Sequence, residues 1–132
     1  MRLVIDSSAA IEVVLKRTKS EPFGLVLQEA DLVLAPDLFV PEVVNTIWKY
    51  HQVDNVDLGT CDRAIDLALG LVDNTVPSRE LHREAFLLAR TTRRPAYEMF
   101  YLALARREDA SFLTLDAALK KEAERQGIRV IE

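Results

Sequence analysis

Three short apolar runs, Leu3–Val4–Ile5, Leu32 to Ala35 and Phe112 to Leu115, constrain the fold of this chain more than any other feature. Each is too short for a core helix and suits a strand buried on both faces. Amphipathic helical patterns separate them, long enough to carry the chain back across a sheet. Strands joined by such crossovers pair in parallel, so the expected class is α/β, a sandwich built on a parallel sheet.

The periodicity predicts helices over about 8–17, 21–30, 38–52, 58–72, 79–91, 96–107 and 117–126. "NTVP" adds a short strand after the fourth helix, and "RVI" at 129–131 a last one after the stop at Gly127. At 132 residues, with no repeat and no Gly- or Pro-rich linker, the chain reads as one domain, 1–132. No apolar run reaches the roughly 18 residues of a membrane span. The start, "MRLVIDSSAA", has no signal-peptide pattern, so the cytoplasm is the expected compartment. A single cysteine, Cys61, excludes an internal disulfide and a Cys-rich zinc site, and the two histidines, His51 and His82, form no ligand pair. A metal here would be held by oxygen. Trp48 and Tyr50, with Val44 and Ile47, read as core or subunit interface.

In open parallel sheets, ligands bind beyond the carboxyl ends of the strands. Asp6 follows the first apolar run and Asp116 the "FLTL" run. Glu42 follows Pro41 near the start of the third helix, and Glu98 comes three residues after Pro95. Each of the four has an ordinary reading as a helix cap or a first-turn acid favoured by the dipole. Together they have another. Carboxylates gathered in one crevice repel, and protonation or a cation must relieve them. Oxygen donors alone select Mg²⁺ or Mn²⁺, ions that assist phosphoryl chemistry. Spacing leaves both readings open.

The runs "VIDSSAAIEVVL", "PDLFVPEVVNTIWK", "AYEMFYLALA" and "FLTLDAALKKEAERQGIRVI" together resemble the PIN domain, and within it the VapC-type toxins of prokaryotic toxin–antitoxin pairs. The likeness runs through essentially the whole chain, in order. It implies a three-layer α/β/α sandwich with a central parallel sheet. It implies a Mg²⁺- or Mn²⁺-dependent endoribonuclease whose ion is held by Asp6, Glu42, Glu98 and Asp116, supported by Ser8, Asn45 and Thr114. It also implies RNA as substrate, a cognate antitoxin that blocks the site, and a homodimer.

The match departs from the family at one acid. The usual context is an aspartate in "YDxxY", and here "YEMFY" places Glu98, one methylene longer, at that position. A shift of about 1 Å in a reacting group costs on the order of 100-fold in rate. The alternative is therefore a weakly active or non-catalytic PIN-like module that binds metal, RNA or a partner. The net charge of −4 favours that alternative over a broad nucleic-acid surface. Against it stand Arg79, Arg83, Arg90, Arg93 and Arg94 within sixteen residues. Arg93 and Arg94, just ahead of Glu98, are the candidate RNA-phosphate contacts, with a solvated helix face as the plainer reading. A haloacid-dehalogenase phosphatase would need a second aspartate where Ser8 stands, and a receiver domain paired acids near its first strand; neither pattern is present.

Overall fold

The computed structural model describes residues 1–132. In chain order it contains β1 (Arg2–Ile5), α1 (Ser7–Val14), α2 (Ser20–Glu29), β2 (Leu32–Pro36), α3 (Phe39–Asp54), α4 (Leu58–Gly70) and β3 (Asn74–Val76). A 3₁₀ turn (Ser78–Glu80) then leads to α5 (His82–Thr92), α6 (Ala96–Arg107), β4 (Ser111–Leu113) and α7 (Ala117–Arg125). The four strands form one parallel sheet in the order β3-β2-β1-β4. The class is α/β, a three-layer α/β/α sandwich, as the apolar runs and the family likeness predict.

The central strand explains the layering. Leu3, Val4 and Ile5 of β1 are wholly buried, so helices must cover both faces of the sheet. α6 lies across β1 and β2 and carries α5 on its back, while α1 packs with α2, α3 and α4. α6 is apolar almost all round, from Met99 through Ala105, which suits a helix pressed between a sheet and another helix. β2 and β3 extend the sheet to one side of β1, and the long connection through α5 and α6 returns the chain to β4 on the other side. The strand order therefore reverses between β1 and β4, and a crevice opens there at the carboxyl ends.

Some sequence expectations change. The last strand shrinks to a single parallel bridge between Phe112 and Val130. α1 ends at Val14 rather than near Arg17, because Lys16 takes a left-handed conformation (φ 54°) and turns the chain toward α2. Residues 78–80 form a 3₁₀ turn, so α5 starts at His82 rather than at Arg79. Ile47 is core, but Trp48 is 55% exposed and Val44 45%, so the core reading fails for both; with Val40 they form a four-residue-spaced apolar stripe on the outer side of α3.

Candidate active site

Asp6, Ser7, Ser8, Glu42, Glu98, Tyr101, Asp116 and Leu119 line one pocket of about 190 Å³. Four elements deliver its acids. Asp6 leaves β1 and caps α1, its Oδ1 accepting from the Ala9 amide at 3.0 Å. Asp116 caps α7, its Oδ1 accepting from the Leu119 amide at 3.0 Å. Glu42 and Glu98 sit in the first turns of α3 and α6. The cap and the site readings thus coincide at Asp6 and Asp116: one oxygen holds the helix and the carboxylate still faces the pocket.

A hydroxyl pair fixes the floor. Ser8 Oγ donates to Asp6 Oδ1 at 2.7 Å and accepts from the Leu115 amide at 3.1 Å. Thr114, fully buried, donates to Asp6 Oδ2 and accepts from the Asp116 amide at 3.0 Å. Thr114 and Leu115 lie beyond β4, so Asp116 stands three residues past the strand rather than directly after it, and these hydroxyls tie that extra stretch back to β1. Ser8 and Thr114 thus both bond the Asp6 carboxylate. Asn45 is different. It is exposed on α3, one turn beyond Glu42, and does not line the pocket.

Tyr101 belongs both to the core and to the border of the pocket. Its ring is buried, 6.3 Å from that of Phe112, and its hydroxyl donates to Glu42 Oε1 at 2.5 Å. A tyrosine one turn after a first-turn acid was the available signal. His51 and His82 lie outside the pocket, as does Cys61, buried against the Val56 carbonyl.

The electrostatics are those of crowded acids. Burial pushes the Asp6 carboxyl above its ordinary range; bonds from Thr114, Ser8 and Ala9 oppose this, and the charge of Asp116 adds to it. Burial also raises Glu42; the Tyr101 hydroxyl lowers it, and the charges of Asp6 and Glu98 raise it further. The Tyr101 phenol is held firmly neutral by burial and by Glu42. Glu98 has a partner of its own. Arg94 reaches it from just before α6, with Nε at 3.1 Å and a terminal nitrogen at 2.9 Å from Oε2. Arg93, beside it, is exposed and holds the left-handed conformation (φ 58°) that ends α5.

The donor set suits a hard cation: four carboxylates, no sulfur or imidazole, and two members whose charge is disfavoured until something positive arrives. The geometry is open, however. The four acids line one pocket, yet no three His, Cys, Asp or Glu side chains stand as a group that could hold a metal ion. Closing on one ion would require side-chain movement, and Glu98 is the acid held by a competing partner.

Fold and pocket together define a class: a parallel α/β/α domain with an acidic crevice where the strand order reverses. The crystal structure of PAE2754 from Pyrobaculum aerophilum is similar, with a TM-score of 0.71 over 98% of this chain and 83% of that one, at 16% identity. That likeness supports the fold. Neither a protein-family model nor a curated protein matches the chain.

Proposed function

We propose that this chain is a PIN-type endoribonuclease of the VapC kind, the toxin of a type II toxin–antitoxin pair, acting on RNA phosphodiester bonds with Mg²⁺ or Mn²⁺. The observation that supports it most is convergence: Asp6, Glu42, Glu98 and Asp116, spread over the whole sequence, face one pocket at the carboxyl edge of the sheet. A parallel sheet brings strand ends and helix starts to one rim, but capping alone does not require four carboxylates to line one pocket. Asp6, Glu42, Glu98 and Asp116 would hold the ion, which supplies Lewis acidity toward a phosphoryl oxygen when bound. The residues do the rest. Ser8, Thr114 and the Ala9 amide fix the orientation of Asp6. Tyr101 holds Glu42 by Oε1, leaving Oε2 to accept a proton from the attacking water. Arg93, exposed just ahead of α6, is the candidate cation for RNA phosphate, since Arg94 is engaged with Glu98. The apolar stripe Val40, Val44 and Trp48 is a surface that a second copy or an antitoxin would cover. No helix is long and apolar enough to cross a membrane, and the cytoplasm is the compartment proposed.

The second reading, a weakly active or non-catalytic module, draws on the Arg94–Glu98 pair and the open arrangement of the acids. One experiment separates the two. Wild type should cleave a structured RNA in the presence of Mn²⁺, and Asp6→Asn should lose on the order of 100-fold in rate. Mn²⁺ binding by a wild type that cleaves nothing would leave the binding-module reading in place.

A further inference from the structure

Arg94 is an unusual neighbour for a cation pocket. Its guanidinium sits on Glu98 Oε2 at 2.9–3.1 Å, and its side chain is only 24% exposed. A left-handed residue before it and Pro95 after it set the direction of the backbone there. Glu98 supplies the remaining reach: a glutamate in the first turn of α6 extends back to a residue four positions earlier. The other three acids of the pocket have no basic side chain within ion-pair distance. The pocket is therefore lined by four carboxylates and no basic side chain, and one of the four, Glu98, is bonded to Arg94 beside it.

We propose that Arg94 is an internal counter-cation, a positioning residue that holds Glu98 away from the other carboxylates until a divalent ion displaces it. This rests on the cation-dependent reading of the pocket given above. The guanidinium and an incoming ion compete for Glu98. Glu98 Oε2 cannot keep two close bonds to a guanidinium and also turn fully to an ion shared with Asp6, Glu42 and Asp116. An ion entering beside Arg94 also meets a like charge. Both effects weaken cation binding, and both disappear with the guanidinium. The longer side chain at position 98 then has a consequence of its own: it makes the cation affinity of the pocket adjustable by a residue outside the ligand set.

Calorimetric titration of the metal-free protein with Mn²⁺ alone tests this without any cleavage assay. Arg94→Ala should bind Mn²⁺ about two- to fivefold more tightly than wild type, the range expected for removing a partly exposed ion pair that binding must break. Arg94→Lys, which keeps the charge, should return toward wild type. In a Glu98→Gln background the effect of Arg94→Ala should shrink, since the pair it breaks is already gone. Melting curves without metal verify that each variant is folded. Equal Mn²⁺ affinity in wild type and Arg94→Ala overturns the proposal and leaves the cation site standing. Binding only in Arg94→Ala supports it and removes the nuclease reading from the wild-type chain. Absence of Mn²⁺ binding in both overturns the two together.

Discussion

The two ends of the sheet carry acids in pockets, and they use them in opposite ways. At the amino end, a groove of about 490 Å³ runs past Gly24, Leu27, Val33 and Gly70, with Asp31 and Asp73 on its wall. It is the larger of the two, but each acid there has its own partner. Asp31 pairs with the N-terminal amine, which lowers its pKa, and Asp73 Oδ2 accepts from the Val33 amide at 2.8 Å. At the carboxyl end the pocket is less than half that size, and Asp6 and Glu42 are raised by burial and by their acidic neighbours. Volume does not mark the site. Carboxylates buried beside other carboxylates do, because folding takes them from water at a cost that a cation can offset.

The largest expected contrast between the two ends is in the response to cations. An ion that binds only the folded chain stabilises it, by about 2.7 kcal/mol at 100 times its Kd, or on the order of 10 °C in Tm for a domain of this size. Mn²⁺ should therefore raise the melting temperature of wild type and of Asp73→Asn alike, and Asp6→Asn should lose most of the rise. If Asp73→Asn loses as much as Asp6→Asn, the comparison of the two ends is wrong and cations act on the surface as a whole.

A smaller contrast lies in pH dependence without metal. Asp6 and Glu42 have folded pKa values above their unfolded ones. From the ordinary carboxylate range up to those raised values, the folded state binds more protons, so their share of stability is present below the window and lost as pH rises through it. Asp31 has the opposite sign: its share is present at neutral pH and lost as pH falls through its lowered value. Asp6→Asn should then raise the Tm of the metal-free protein at pH 7 by a few degrees, with the gain vanishing toward about pH 4. Asp31→Asn, fully exposed, should show a slight loss at pH 7 and none in acid. Destabilisation by Asp6→Asn at neutral pH in thermal melts would contradict this, since asparagine caps a helix as well as aspartate does and only a net favourable charge at Asp6 would then be lost.

What the sequence could and could not reveal follows from the range of each interaction. β1, β2 and β4 were legible because a strand buried on both faces must be a short continuous apolar run, and Leu3–Ile5 is one. The four acids were legible because strand ends and helix starts are local features, and the parallel sheet then brings two of those ends to one rim. The failures are non-local. The 129–131 strand became one bridge because pairing at a sheet edge depends on where the β4 edge stops, and no residue of "RVI" encodes that. Trp48 read as core or subunit interface from its apolar neighbours, and only the packing of α3 against α1 and α4 decides which side of the helix faces out. The Arg94–Glu98 pair was hidden because the arginines read as a cluster for phosphate; a carboxylate four residues on was the clue, and the left-handed turn at Arg93 that aligns it was not.

The smallest expected effect concerns Tyr101, the residue that joins the core to the pocket. Tyr101→Phe keeps the ring against Phe112 and removes only the hydroxyl on Glu42. Glu42 is half-buried, so water replaces the lost donor in part, and the stability change should stay within about 1 kcal/mol. The titration of Glu42 should move more visibly. The hydroxyl bonds to the charged carboxylate and lowers its pKa, so without it Glu42 holds its proton to higher pH. If Glu42 must be charged for cation binding and cleavage, the acid limb of the pH–rate profile in Mn²⁺ should shift to higher pH in Tyr101→Phe. The plateau at higher pH should fall far less than in Asp6→Asn, because the carboxylate itself remains. A uniform loss at every pH with no movement of the acid limb would mean that Tyr101 acts by positioning Glu42 rather than by setting its charge.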